Sequence, residues 1–488
     1  LVLLAGCLSD ALLTGCTKEE GNPAAPGNQP PNQPSNPVPA DGAAVVSLST
    51  SLRWTCSDPD GDSLNYNLFF GATNNPPLVR QNMAENFWTP DSVTLGTTYY
   101  WKVVAKDSLG HPTEGPMWRF ATFAPRTFGG AFNDYAFSVQ QTSDGGFIIA
   151  GETGSFGAGA DDVYLIKTDA GGNQTWFRTF GGAFGGWAQS VQQTSDGGFI
   201  IAGGTYSFGA GENDVYLIKT DAGGNQTWER TFGGASYDWA ESVQQTSDGG
   251  FIIAGMTGSF GAGEGDVYLI KTDAGGNQTW ERTFGGASYD LASSVQQTLD
   301  GGFIIAGATQ SFGAGGEDVY LIKTDSGGNP IWSRTLGGED NDYTYSVQQT
   351  SDGGFIIAGV TQSFGAGEED AYLIKADAGG IQTWFSAFGG ASGDGAYSVQ
   401  QTSDGGFIIA GGTGSFGAGR EDVYLLKTNA GGKQTWFRTF GGAFEDWAYS
   451  VQQTSDGGFI IAGVIEPIIW GSRDAYLIKT DVEGNMEW

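Results

Sequence analysis

The sequence predicts an all-β chain, a β-sandwich followed by a seven-bladed β-propeller of four-stranded blades. Three observations carry this reading. One block is copied seven times at a period of 52, anchored at Thr127, Thr179, Thr231, Thr283, Thr335, Ala387 and Thr439. A fixed period near 50 residues belongs to propellers and solenoids. Each copy holds four strand-like runs joined by Asp-Gly or Gly-Gly turns, with no helical period. In the second copy the runs are 190–194, 199–203, 215–219 and 226–232. The second run, Phe199-Ile-Ile-Ala202, is apolar on both faces, so its sheet must be covered on both sides. Blades packed between neighbouring blades satisfy that requirement; an open sandwich leaves one face polar.

Composition narrows the function. The chain has 488 residues, suited to two or three domains, and a net charge of −32. Such acidity argues against nucleic acid, whose phosphates need Lys and Arg, and against adsorption on anionic lipid. Most of the 82 glycines sit at fixed places in the copies and mark turns. Cys7, Cys16, Cys56 and His111 all lie outside the repeats. No disulfide framework is expected.

Residues 1–16 are an apolar run with small residues, the tail of a secretory signal. Leu4-Ala5-Gly6-Cys7 and Leu13-Thr14-Gly15-Cys16 each resemble the bacterial lipoprotein signal. That resemblance implies lipidation at Cys16 or Cys7, a membrane link only through the anchor, and a position outside the cytoplasm. The polar tether after Cys16 favours it, and Asp10 within the apolar run favours Cys7. Residues 17–36, rich in Pro, Asn and Gly, are expected to be a linker.

The segment 37–124 shows the short alternating runs of a β-sandwich. Leu52 and Trp54 alternate inward, as do Leu64, Tyr66 and Leu68, then Tyr99, Trp101, Val103 and Ala105, and finally Trp118 and Phe120. With Leu52-x-Trp54 early and Tyr99-x-Trp101-x-Val103-x-Ala105 late, it resembles a fibronectin type III-like domain. Asp58, Asp60 and Asp62 surround a Gly turn and are the weak candidates for calcium. An ordinary Asp-Pro-Asp-Gly turn is the favoured reading, and no metal site is assigned.

The array 125–488 opens with Arg126-Thr127-Phe128 and ends at Asn485-Met-Glu-Trp488. These are complementary halves of a fourth strand: either they complete the seventh blade together, which is the favoured expectation, or further copies follow Trp488. In each copy a Gly turn leads from the third strand to a Trp, as in Lys167-Thr-Asp-Ala-Gly171-Gly-Asn-Gln-Thr-Trp176. Here the array resembles the quinoprotein-like (PQQ-like or WD-like) β-propellers. The resemblance implies that Trp176 and its six counterparts pack between adjacent blades. It does not extend to a quinone cofactor, because the array has no Cys or His. No cofactor is expected, with calcium the one weak possibility.

Asp162 and its six counterparts precede every third strand; Asp134 and five counterparts precede the first, Gly186 breaking that series. A residue kept in every blade is expected to cap its own loop through backbone N–H groups. The Lys series from Lys167 to Lys479 is expected to be a structural partner or solvated. The copies differ at Phe132-Asn133, Phe184-Gly185, Ser236-Tyr237, Glu339-Asp340 and Phe444-Glu445, and at Glu152, Tyr206, Met256, Gln310 and Gln362. Aromatic and acidic side chains on one rim suit a sugar or a peptide. In the seventh copy Ile465, Ile468, Ile469 and Trp470 replace the usual loop and predict a contact. The candidate ligand-binding residues are these four with Tyr206 and Tyr237. The expected function is a non-enzymatic surface lipoprotein that binds or scaffolds an extracellular or envelope protein or a glycan. The alternative is a polysaccharide-acting hydrolase or lyase using two loop carboxylates. No catalytic set stands out, because near-uniform copies offer no carboxyl pair with separated acidities.

Overall fold

The computed structural model describes residues 28–46, 50–90, 93, 97–122, 125–417, 419–442, 444–466 and 472–488. Two compact units are distinguished. One gathers described residues up to Asp41, Ser51–Trp88 and Tyr100–Trp118; the other takes in Arg119–Trp488 with two short earlier segments. All regular structure among the described residues is β-strand.

In the first unit, Ser35–Val38 and Phe87–Trp88 flank Leu52–Thr55 in one sheet. In a second sheet Asn65–Gly71 pairs with Leu78–Met83 on one side and with the Thr98–Lys106 strand on the other. The alternating residues pack as expected. Trp54 meets Tyr66 edge-on at 5.3 Å, and Trp101 lies 4.6 Å from Trp118. Leu52, Leu68, Trp101 and Val103 are fully buried. Leu64 differs: it precedes its strand and is only half-buried, and Phe70 takes the third inward position. The end of the proposed linker is hydrogen-bonded, with the Asn32 N–H donating to Ser57 at 2.9 Å and Thr113 Oγ1 donating to Pro31 at 2.7 Å. Asp58 Oδ1 accepts the backbone N–H groups of Asp60 at 2.8 Å and Asp62 at 3.3 Å, which closes the turn.

The second unit contains seven four-stranded antiparallel sheets. Six are built from one copy each. The seventh orders Arg126–Phe128, Asp474–Thr480, Phe459–Ile465 and Asp446–Gln453, so its outer strand comes from the start of the array. Thr127 pairs with Tyr476, and Trp488 accepts the N–H of Lys479 through its carbonyl at 2.9 Å. The two chain segments thus share one edge. Each sheet buries its faces against both neighbours. Ile148, Ala150, Val163 and Leu165 of the first sheet pack with Phe199, Ile201, Tyr216 and Ile218 of the second. The same cluster recurs between the seventh sheet and the first, where Ile460, Ala462 and Leu477 meet Ala136, Phe147 and Tyr164. The sheets therefore form a closed, β-propeller-like ring.

The innermost strands begin four residues earlier than the alternation indicated. In the second copy the strand is Gly186–Gln193, with a bulge between Ala188 and Ser190. The bulge resets the in-out alternation, so the pattern hid the first half of the strand. Ser-Val-Gln-Gln is the staple of the ring. Val191 N–H donates to Ser138 Oγ at 3.2 Å and Gln193 N–H to Gln140 Oε1 at 2.6 Å. The closing contacts repeat this, with Gln141 N–H donating to Gln452 Oε1 at 2.6 Å. The Val-Gln pairs of all seven copies line an axial shaft of about 230 Å³.

Outer features follow the same rule. Trp176 lies 6.0 Å from Phe199 of the next sheet, and Trp488 lies 5.9 Å from Phe147. Arg178 sits 5.2 Å over the Trp176 ring. Buried Lys167 reaches Asp144 at 3.0 Å, and Lys479 reaches Asp456 at 2.9 Å, so the Lys series is a structural partner.

Candidate functional site

Both Asp series act as caps wherever their loops are fully described, as the third copy and its neighbour show. Asp266 is 1% exposed, and its Oδ2 accepts the N–H groups of Ala262 at 2.8 Å and Gly263 at 3.1 Å. Asp290 Oδ2 accepts the N–H of Gly286 at 2.8 Å and the Ser311 hydroxyl at 2.7 Å. Both carboxylates close on Gly285, where a Cβ would lie 2.1 Å from Asp266 Oδ1 and 2.7 Å from Asp290 Oδ2. No larger residue fits there. Contrary to the sequence-based placement in loops, both Asp positions are the first residues of their strands.

The site lies where the copies disagree. Four columns of the repeat converge on the ring mouth at the end where each first strand begins. They are the positions of Tyr135, Phe137, Glu152 and Asp161 in the first copy. The second column reads Phe137, Gln189, Glu241, Ser293, Tyr345, Tyr397 and Tyr449 around the ring. Its aromatic members touch in sequence. Tyr345 and Tyr397 are 5.1 Å apart, Tyr397 and Tyr449 5.9 Å, and Tyr449 and Phe137 5.2 Å. Tyr135 stacks on Phe137 at 5.7 Å and extends the arc.

Carboxylates face this arc. Burial, then Tyr343, Glu369, Glu317 and Glu241, raise the Tyr345 hydroxyl to about 12. The Tyr449 hydroxyl is raised to about 12 by burial and by Tyr135, with Glu421 and Glu152 adding to it and Arg473 opposing. Glu152 is unique in its column, whose other members are Gly204, Met256, Ala308, Val360, Gly412 and Val464. Burial and then the charge of Asp161 push the Glu152 carboxyl up to about 7. Burial raises Glu241 to about 7 as well, against the Trp239 indole N–H that it accepts at 2.7 Å.

Beside the mouth a cleft of about 370 Å³ is lined by Phe137, Glu152, Asp161, Phe184, Trp187 and Tyr206, among others. Phe184 is 74% exposed and Tyr206 51%, and Tyr206 lies 5.4 Å from Trp187. Gly186 borders this cleft, at the position where the other copies carry the capping Asp. Of the sequence-derived candidates, Tyr206 lines the cleft. Tyr237 is an exposed neighbour, its hydroxyl raised by its hydrogen bond to Glu212. Ile465 is half-buried and packs on the core between the sixth and seventh sheets. Ile468, Ile469 and Trp470 lie outside the described residues, as do Cys7 and Cys16. The mouth column of Phe137 was missed, although its signal was available: one hypervariable position directly before the fixed Ser-Val-Gln-Gln. Among the described residues no group of three or more His, Cys, Asp or Glu could hold a metal ion.

No protein-family model matches the chain. Over 233 residues it is 28% identical to regulatory protein FlaEY of Caulobacter vibrioides, covering 42% of this chain and 24% of that protein. The chain thus spans about a quarter of that relative's length. Among solved structures it is similar to exotype rhamnogalacturonan lyase YesX, with 13% identity, a TM-score of 0.32, and 91% of this chain and 86% of that one covered. It is also similar to puromycin hydrolase, with 14% identity, a TM-score of 0.36, and coverage of 77% and 59%. At such values these likenesses carry no argument about activity.

Proposed function

We propose that the chain is a non-enzymatic binding protein of the cell envelope that holds a protein or glycan at the mouth of its ring. One observation carries this reading. The repeat is nearly invariant through its core and diverse where four columns meet at the mouth, and one arc of that mouth gathers Tyr345, Tyr397, Tyr449 and Phe137 with Glu317, Glu369 and Glu421. Large, rigid rings with a few polar groups are what a recognition surface needs. The finer assignments belong to the same proposal. They are a fibronectin type III-like sandwich, a quinoprotein-like seven-bladed propeller without cofactor, and a lipid anchor at Cys16 or Cys7. The test is a binding screen of the intact chain against envelope proteins and glycans. Binding should fall at least about tenfold in Tyr397→Ala, in line with the loss of one central aromatic contact. Binding that survives Trp470→Ala together with Ile468→Ala would remove the seventh loop from the surface.

Glu152 supports a second reading, a polysaccharide hydrolase or lyase. A carboxyl raised to about 7 beside Asp161 has the character of a general acid. Turnover of a polymer that Glu152→Gln abolishes would establish it over the first.

A further inference from the structure

The mouth carries a marked charge asymmetry. Three consecutive copies place Glu317, Glu369 and Glu421 in one column, and the next copy places Arg473 there. Arg473 shows what this environment does with a cation. Its guanidinium lies 4.7 Å over the Trp447 ring and 2.8 Å from Glu445, while the Trp447 indole N–H donates to Glu421. A planar cation is thus held between an aromatic face and a carboxylate. The adjoining arc of the mouth, whose Tyr397 lies 5.9 Å from Tyr449 of the Arg473 copy, has the same ingredients without the cation. The Asp342 and Asp394 N–H groups donate to the Glu317 and Glu369 carbonyls at 2.7 and 2.9 Å, so these glutamates stand at the starts of the strands that carry Tyr345 and Tyr397, whose rings are 5.1 Å apart. Gln310 and Gln362 donate to Glu317 at 2.6 Å and Glu369 at 2.9 Å, which orients both carboxylates without neutralising them. A neutral sugar would leave those charges uncompensated, and a uronate would be repelled.

Resting on the reading of the mouth as a binding site, we propose that its ligand is an arginine-bearing segment of a partner protein, the guanidinium seated on Tyr345 and Tyr397 and paired with the mouth glutamates. A guanidinium is preferred to an ammonium because it stacks on a ring face and pairs with a carboxylate at the same time, as Arg473 does.

The test titrates the intact chain with a short Arg-containing peptide and with the same peptide carrying citrulline, which keeps the shape and removes the charge. A neutral oligosaccharide set is run alongside. The Arg peptide should bind at least about tenfold tighter than the citrulline peptide, which loses both the cation–π contact and the carboxylate pairing. It should weaken with added salt, and it should lose affinity in Tyr397→Leu and in Glu369→Gln. The Tyr397 and Glu369 variants alter half-buried mouth groups, and an unchanged melting profile is the control for folding. Equal binding of both peptides, or no binding of either, overturns the inference. If an oligosaccharide then binds and is lost in Tyr397→Leu, the mouth remains a binding site with a different ligand. If nothing binds in a mouth-dependent way, the functional reading falls as well.

Discussion

A single Asp shows how the repeat uses its fixed residues. Asp266 satisfies two loop N–H groups from a buried position. Asp266→Ala leaves those donors without a partner, at a cost of about 1–3 kcal/mol. Chemical denaturation should show that loss with an unchanged slope. Titration distinguishes the two kinds of carboxylate. Burial opposes ionisation of Asp456, but the Thr454 hydroxyl, the Lys479 ammonium and the Gly458 N–H together hold it at about 2, below its ordinary 3.8. A depressed carboxyl stabilises the fold above its ordinary value and ceases to do so as pH falls through about 2. Asp446 is the opposite case. Burial, with Asp422 and Glu466 adding to it, raises it to about 7 against the hydrogen bonds from Gly442 and Glu466. Its contribution is complete below 3.8 and disappears as pH rises through about 7. Stability measured from pH 4 to 8 should decline less in Asp446→Asn than in the parent chain.

At the scale of the element, most of the blade was legible before any coordinate was known. Seven copies of one sentence expose which residues are structural, so the Trp, Lys and Asp series could each be assigned a local job. The inner strand was less legible, because a bulge after Ala188 breaks the alternation that marks a strand. The mouth was least legible. Phe137 and Tyr449 are 312 positions apart and become neighbours only when the ring closes. No local pattern records that contact. The Trp that ends each sheet sets the spacing between sheets. Trp280 lies 5.9 Å from Phe303 and under Arg282. Removing a large aromatic from a packed site costs roughly 3–5 kcal/mol, and a half-buried Trp belongs at the low end. Trp280→Ala should therefore raise hydrogen exchange first in the third and fourth sheets.

For the whole molecule the seventh sheet is the decisive one, because two distant segments complete it. Trp488→Ala removes the ring that packs on Phe147 and lies under Arg126. Local loosening should then appear in the first and seventh sheets and lead to global opening at lower denaturant than in Trp280→Ala, although the two side chains sit in equivalent places. Limited proteolysis of the two variants side by side would show the difference. A result in which both open alike would mean that no junction is special.

The shared outer edge also bears on how copies of the chain meet one another. Arg126-Thr127-Phe128 is the same tripeptide that closes four of the other six sheets, and those sheets already hold their own. The vacant seat is therefore recognised by its emptiness, since its chemistry matches the others. A neighbouring chain in the same half-closed condition offers an equally good seat. At high concentration the closing strand should be exchanged between chains, giving pairs with every backbone contact of the single ring intact. Dilution before refolding would then decide whether a preparation contains separate rings or interlocked ones.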